Sequence, residues 1–382
     1  MINISHKCKK IAILLKKSEI LSSYVKNQHS YELNKRNIMN NIKKIGVTAL
    51  AGSLAMTSAN AIDYAMTGGM LATFTTQDSP KNAEADSGKG LGVATDLSLN
   101  ASGELDNGYT VSYFMSVDTN AALSNTSSQM TIGMGSLGTL QYNNIGGSKA
   151  NAIDDITPNA YNETWDGLSS SNTRNNGSFF GSLTSSGSVD YRIPAQEMGG
   201  MTVNASITYD PNPGGAAAKG GVAASNAGSG VAYTLQLAHE SGLEIGGGYE
   251  EQDKQHNESS AHNGKNATAY IKYAAGGLTF AYQEAYQDTA TTGLSKTPDK
   301  EFEAMGIAYT SGDFTVSWGE SEVVEKATGT TAALATIELE SIQAAYVMGA
   351  MTVSAAMSST DNDNGVAAQE YDENTIAVSF AF

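Results

Sequence analysis

Cysteine is nearly absent: Cys8 is the only one among 382 residues, and it lies in the basic N-terminal segment. Disulfides, thiolate metal sites and a cysteine nucleophile are thereby excluded from residues 62–382. Long apolar runs are missing too, and none approaches the ~18 residues of a membrane-spanning helix. Only 40% of the residues are apolar, little for the core of a globular chain this long but enough for a barrel that is oily outside and wet inside. Proline is scarce, 6 residues against 40 glycines, a balance that suits long strands joined by tight turns. Positive charge is short as well. Residues 1–61 hold ten Lys or Arg, leaving twelve against thirty-seven acidic residues in 62–382, a net charge of −25. Such a surface argues against nucleic acid as a partner.

What is present is one alternating phrase, repeated. In Gly199–Asp210, Met201, Val203, Ala205, Ile207 and Tyr209 alternate with Thr202, Asn204, Ser206 and Thr208. Strand side chains point to opposite faces in turn, so one face is apolar and the other bears hydroxyls and amides. The pattern recurs at Asn107–Tyr113, Ser241–Gly247, Gly276–Tyr282, Ser311–Trp318 and Gly349–Ala355, with 35 residues separating Gly242, Gly277 and Gly312. A fixed period of that length marks one repeated supersecondary unit. Here it is a hairpin with a short turn at one end and a long polar loop at the other, the sequence form of a transmembrane antiparallel β-barrel.

Upstream, Met39 opens a short basic region at Lys43 and Lys44, an apolar stretch runs from Ile45 to Met56, and Ala59-Asn-Ala61 supplies a small-residue cleavage pattern. Residues 39–61 are expected to be a secretory signal cut between Ala61 and Ile62. Residues 1–38 are expected to be either a spurious extension before the true initiator Met39 or an unusually long leader.

Sixteen strands are expected in 62–382: Tyr64–Thr75, Leu91–Glu104, Gly108–Asp118, Ser128–Met134, Gly138–Asn144, Ser188–Ile193, Gly200–Tyr209, Val231–His239, Leu243–Glu250, Ala267–Ala274, Leu278–Gln287, Phe302–Thr310, Phe314–Glu322, Thr336–Tyr346, Met351–Ser358 and Tyr371–Phe382. Asn107-Gly108 is a hairpin turn signal. The apolar faces leave no second set of hydrophobic positions for a dry interior, and the inward residues are mostly Thr, Ser, Asn, Gln and Ala. Tyr109, Tyr113, Tyr209, Tyr273, Tyr282 and Trp318 lie on apolar faces, where an interfacial aromatic belt is expected. Ile145–Gly187 is long and barely alternates.

The last strand ends on Ile376, Val378, Phe380 and Phe382, a pattern that resembles the signal presenting outer-membrane barrels to their assembly machinery. With Leu105-Asp-Asn-Gly-Tyr-Thr-Val, Ile132-Gly-Met-Gly-Ser-Leu-Gly-Thr-Leu, Val189-Asp-Tyr-Arg-Ile-Pro and Gly199-Gly-Met-Thr-Val, the chain resembles the general porins of Gram-negative outer membranes, in the alphaproteobacterial style. The resemblance covers nearly all of 62–382. It implies a sixteen-stranded barrel in outer-membrane lipid, usually a homotrimer, that passes small hydrophilic solutes and ions. It also implies a third loop folded inward as a constriction, where loop carboxylates face basic side chains on the wall.

On that footing Ile145–Gly187 is the inward loop, and Asp154, Asp155, Glu163 and Asp166 are its candidate constriction carboxylates, with Tyr161 and Trp165 packing or lining. By alternation, Arg192 shares a face with Asp190 and points to the lumen, a rim pair with Glu197 being the other reading. Lys272 shares a face with Thr268 and Tyr270. No Lys or Arg occurs between Lys89 and Lys149, a departure from the family pattern that favours an acidic, cation-preferring pore. Catalytic motifs are absent, so no enzyme and no cofactor are expected. His239, His256 and His262 have no partner at metal-ligand spacing. Asp361-Asn-Asp-Asn-Gly365 offers oxygen ligands for Ca²⁺ but lacks the closing Glu of a full calcium loop. The competing functions are a substrate-selective channel with a saturable site, or a structural or adhesive surface barrel.

Overall fold

The computed structural model describes residues 62–79, 88–119, 123–166, 179–184, 186–211, 228–253, 264–288, 298–327 and 332–382. The leader, its cleavage site, and His256 and His262 lie outside the described residues. Seventeen strands form one sheet. They are β1 (Asp63–Asp78), β2 (Gly88–Glu104), β3 (Thr110–Asp118), β4 (Ser124–Gly133), β5 (Thr139–Ile145), β6 (Ser186–Arg192), β7 (Gln196–Met198), β8 (Met201–Asp210) and β9 (Gly230–His239). Then follow β10 (Leu243–Gln252), β11 (Gly264–Ala275), β12 (Leu278–Asp288), β13 (Lys300–Ser311), β14 (Phe314–Glu325), β15 (Ile337–Met348), β16 (Met351–Asp361) and β17 (Glu370–Ala381). β6 and the three-residue β7 both pair with β8, so they are one strand broken at Pro194, which cannot donate to a ladder. The barrel therefore has sixteen staves, all antiparallel to their neighbours, as the alternation predicts.

Closure comes from β1, which pairs with β2 over Asp63–Gln77 and with β17 over Gly69–Asp78. At the seam Gly68 N–H donates to the Phe382 carbonyl at 2.7 Å, and Phe382 N–H to the Gly68 carbonyl at 2.9 Å. A Cβ on Gly68 would lie 2.6 Å from the Phe382 ring. Gly68→Val should therefore weaken the seam by about 1–3 kcal/mol, the usual cost of overpacking, and lower the temperature at which the folded band on a gel converts to the unfolded one.

Short turns line one end of the barrel. Between β2 and β3, Gly108 adopts φ +79° and donates its N–H to the Leu105 carbonyl at 2.8 Å, while Asn107 Oδ1 accepts the Tyr109 N–H at 3.0 Å. This is the backbone geometry for which Asn-Gly is selected. The strand ends joined by the long connections all lie at the opposite end.

Outward faces carry the large exposed apolar side chains, such as Ile207, Tyr209, Tyr233, Leu235, Phe280, Ile307, Ile342 and Phe380. With no water in a bilayer core, a closed ladder is the one sheet that satisfies every backbone group there. On β12–β15 the outward character changes partway along the strands. Glu284, Glu303, Glu322 and Glu338 are successive register partners on the outside, nearer the long loops. Tyr282 Oη donates to Glu284 Oε1 at 2.5 Å, and Trp318 Nε1 to Glu340 Oε1 at 2.6 Å. Like charges opposed across strands repel, so this row belongs where water and counterions reach, with Tyr282 and Trp318 at the boundary of the hydrocarbon.

A correction concerns the interior. A second apolar set exists: Phe302, Ala304, Val323, Ile337, Leu339 and Tyr371 face inward on β13, β14, β15 and β17 and are buried with Trp165, Phe179 and Ala285. The reason is the loop after β5, which covers this half of the wall and makes it dry.

Candidate functional site

The loop begins early because β5 is only 7 residues long. Gln129 on β4 donates from Nε2 to the carbonyls of Ile145 at 2.9 Å and Gly146 at 3.2 Å, and Gln141 on β5 donates to the Gly147 carbonyl at 2.6 Å. These inward amides turn the chain into the lumen instead of letting β5 continue. A 3-10 turn, Asn151–Ile153, follows. It buries Ile153 against Ala150, Phe180, Ala232 and Tyr270.

From there the outbound limb runs along the inner wall, held by side chains that meet its backbone. On β12, Gln283 Oε1 accepts the Ile156 N–H at 2.9 Å, and its Nε2 donates to the Ile153 carbonyl at 2.9 Å. On β14, Ser317 Oγ accepts the Ala160 N–H at 2.8 Å. On β15, Gln343 Oε1 accepts the N–H groups of Tyr161 at 2.8 Å and Asn162 at 3.2 Å, and its Nε2 donates to the Asn162 carbonyl at 2.6 Å. Trp165 then meets Phe302 edge-on, ring centroids 5.2 Å apart, and Phe179 approaches the same ring at 6.4 Å. Replacing Gln343 by Leu would strip two loop N–H groups of their acceptor, at about 1–3 kcal/mol each where water cannot substitute. The expected result is flickering single-channel current from a loosened loop, in a barrel whose melting is little changed.

The four candidate carboxylates lie on this limb and act on one another. Asp155 Oδ1 accepts the N–H and hydroxyl of Thr157, at 2.8 and 2.7 Å. Burial pushes its carboxyl up, the two Thr157 bonds oppose that, and the charges of Asp154 and Asp166 add to it. Glu163 is pushed up to about 7, by burial first and then by Asp155, Asp166 and Asp154. Asp166 is raised by burial, with a backbone hydrogen bond opposing. Burial also raises the Tyr161 hydroxyl; a bond to Asn162 opposes this, and the charges of Glu373 on β17 and Asp166 add to it. Glu373 is thus a wall carboxylate beside the loop that the sequence does not single out. Its Oε2 accepts Gln77 Nε2 at 3.0 Å.

The basic candidates lie elsewhere on the inner face. Arg192 Nε donates to Asp190 Oδ2 at 2.6 Å, and its Nη2 to the Gly147 carbonyl at 3.3 Å. Asp190 is fully buried and also accepts Thr208 Oγ1 at 2.8 Å. Arg192 thus braces the loop root, and Glu197 instead takes the Thr202 hydroxyl at 2.8 Å. Lys272 faces the lumen across from its register partner Glu244 on β10, one inward position nearer the short turns than Tyr270. Neither basic residue figures among the groups that shift Asp155, Glu163 or Asp166. The Asp361–Gly365 run folds as a tight turn with Asn362 and Asn364 at positive φ and Asp363 buried. His239 hydrogen-bonds Ser241 at 2.8 Å. Among the described residues no group of three or more His, Cys, Asp or Glu is placed to hold a metal ion.

A closed sixteen-stave barrel, apolar outside, polar within and narrowed by an inward loop, defines an outer-membrane channel that crosses the bilayer with every stave. Residues 46–382 match the family described as Gram-negative porin, and the chain belongs to it. Solved structures agree in fold. An anion-selective porin from Comamonas acidovorans is 14% identical, covering 84% of this chain and 100% of that one, with a TM-score of 0.61. OmpF of Salmonella typhi in complex with daunomycin is 14% identical over 85% and 98%, with a TM-score of 0.58. The outer-membrane protein OmpT of Vibrio cholerae is 12% identical over 86% and 99%, with a TM-score of 0.57. No curated protein matches the sequence.

Proposed function

We propose that this porin is a passive, cation-preferring diffusion pore for small hydrophilic solutes and ions. One observation carries the reading: Asp154, Asp155, Glu163 and Asp166 are gathered on the inward loop, while strands β3–β5 bear no Lys or Arg at all. A pore discriminates by the fixed charge at its narrowest part. Carboxylates without an opposing basic cluster favour cations over anions and leave size as the remaining filter.

The working form is a homotrimer, in line with the trimer form described for OmpT of Vibrio cholerae. Lipid of the outer membrane solvates the outer apolar faces, and the strand ending on Phe382 is the segment offered to the barrel assembly machinery. The test is planar-bilayer conductance with the reversal potential taken across a salt gradient. Ohmic openings that close in three equal steps with a cation-sided potential support the reading. An anion-sided potential removes the acidic filter, and absence of any conductance from folded protein turns the assignment to a closed, structural barrel.

A further inference from the structure

The inward loop leans on one half of the barrel and leaves the other half to water. Its outbound limb is seated on β12, β14 and β15. Its return limb is seated on β10 and β11, where Glu250 Oε1 accepts the Gly181 N–H at 2.8 Å and Asn266 Nδ2 donates to the Phe179 carbonyl at 2.9 Å. Inward positions on this half are buried, among them Asn266, Gln283, Ala304, Ser321 and Leu339. On β2 and β3 the inner face is open instead, and its Gly92, Asp96, Asn100 and Ser112 are all exposed. Their orientation follows from the register. Asp96 lies opposite Gly69 on β1 and Asp118 on β3, while the alternate positions Met66, Met70, Phe74 and Leu97 form the apolar outside. Lumen water therefore lies against β2 and β3.

This open wall carries charge of one sign. Among the described residues of β1–β5 each inward charge is an acid: Asp63 and Glu104 beside the short turns, Asp96 and Asp118 farther toward the long loops. Lys89, the one base in these strands, shares the outward face of Leu91 and Val93. Asp96 and Asp118 are direct partners across antiparallel strands, a placement in which like charges repel. It is tolerable where water and cations reach. The Asp96 carboxylate leans over β1, since a Cβ on Gly69 would lie 2.6 Å from its Oδ1. Glycine at that position gives the carboxylate its room. Glu373, the wall carboxylate beside the loop, differs in being buried, where it accepts from Gln77, Tyr371 and Thr375.

We infer that Asp96 and Asp118 are specificity-determining residues for ion passage, the wall-side part of an acidic filter whose other part is the inward loop. The inference deepens the cation-preferring reading above and assigns a share of that preference to the wall. An ion in the water against β2 and β3 comes within one Debye length of the pair, about 10 Å at 0.1 M salt. A cleft lined by one sign of charge between low-dielectric walls concentrates counter-ions, and no inward base on β1–β5 opposes the effect. At about 1 M salt the Debye length shrinks to about 3 Å, and exposed charges lose their reach while partly buried ones are screened much less. The wall's share of selectivity is thus the salt-sensitive one, and the loop's share persists.

The test takes reversal potentials of the purified protein in planar bilayers at low and at high salt. Asp96→Asn combined with Asp118→Asn, nearly isosteric changes at positions open to water, should lower the cation-to-anion permeability ratio about twofold or more near 0.1 M salt and much less near 1 M. The barrel should still migrate as folded. An unchanged ratio at the lower salt overturns the inference. Asp96→Cys gives an independent reading, because residues 62–382 hold no cysteine. A cationic methanethiosulfonate should lower the ratio, and an anionic one should restore it. A thiol that does not react, or adducts of opposite charge that leave the same ratio, overturns the inference as well. The difference between the two adducts does not depend on the sign of the wild-type potential, so failure of the wall pair and failure of the cation-preferring reading appear in separate measurements.

Discussion

Neutralising Asp154, Asp155, Glu163 and Asp166 together as Asn and Gln should remove most of the cation preference and carry the reversal potential toward zero. The expectation follows from what remains. With the four gone, Arg192, Lys272 and Lys300 stay on the inner face, each beside an acid of its own, Glu373 keeps its place on the wall beside the loop, and the rest of the wall contributes mostly hydroxyls and amides. The four carboxylates act on one another along one limb, so together they weigh heavily in the local potential. Single neutralisations should each shift the potential by less than a quarter of the total, because the remaining three relax toward fuller ionisation once one is removed. Folding should be retained: burial and mutual repulsion already disfavour these charges, and the backbone clamps do not involve Glu163 or Asp166. A quadruple variant with wild-type selectivity would place the filter elsewhere.

A pH titration of the reversal potential should show a step near neutrality. Glu163 is pushed up to about 7, so it is largely charged at pH 8 and largely neutral at pH 6. Cation preference should therefore fall as the pH falls across that window, and Glu163→Gln should remove the step. The effect on stability has the opposite direction. A carboxyl whose folded-state value lies above its ordinary one favours the folded state when protonated, so that contribution is present at low pH and is lost as pH rises through about 7. Melting of the Glu163→Gln variant should be correspondingly less dependent on pH between about 4.5 and 7, the interval between the ordinary and the raised value. Glu163 is partly exposed, so solvent screens much of this effect, and the potential is the sharper readout.

The staves were legible because alternation has a period that few other structures share. All sixteen expected strands correspond to a stave, with ends that shift by a few residues. β2 and β4 start earlier than the sequence suggests because their first residues are polar on both faces. The continuation beyond Pro194 was not: the expected strand ends at Ile193, whereas Gln196–Met198 still pair with β8. The seats of the loop were not. Gln283, Gln343, Glu250 and Asn266 are inward polar residues on strands, and nothing in a linear pattern separates one that lines water from one that holds a backbone 127 or 181 residues away in sequence.

Alternation itself misleads at Ile337-Glu338-Leu339-Glu340. A rule that turns apolar residues outward would put Ile337 and Leu339 in lipid, yet they are buried inward and the two glutamates face out. In the same strand Ile342 and Tyr346 face outward. What changes midway is the surroundings: the outside leaves the hydrocarbon, and the inside meets Trp165 and Phe179. The sequence carries the strand, but the sign of each face depends on height in the membrane and on what the loop covers.

The seam between β1 and β17 has a consequence in time. Gly69 pairs with Ala381, and the Gly68 backbone bonds Phe382, so the contact that closes the cylinder joins the two ends of the barrel sequence. Contacts of such separation form slowly, since chain entropy must be given up before they contribute. Until β17 is available β1 keeps an open edge, a template for pairing with any other strand. Completion thus waits on β17, and an unfinished copy is marked by an edge rather than by a missing domain.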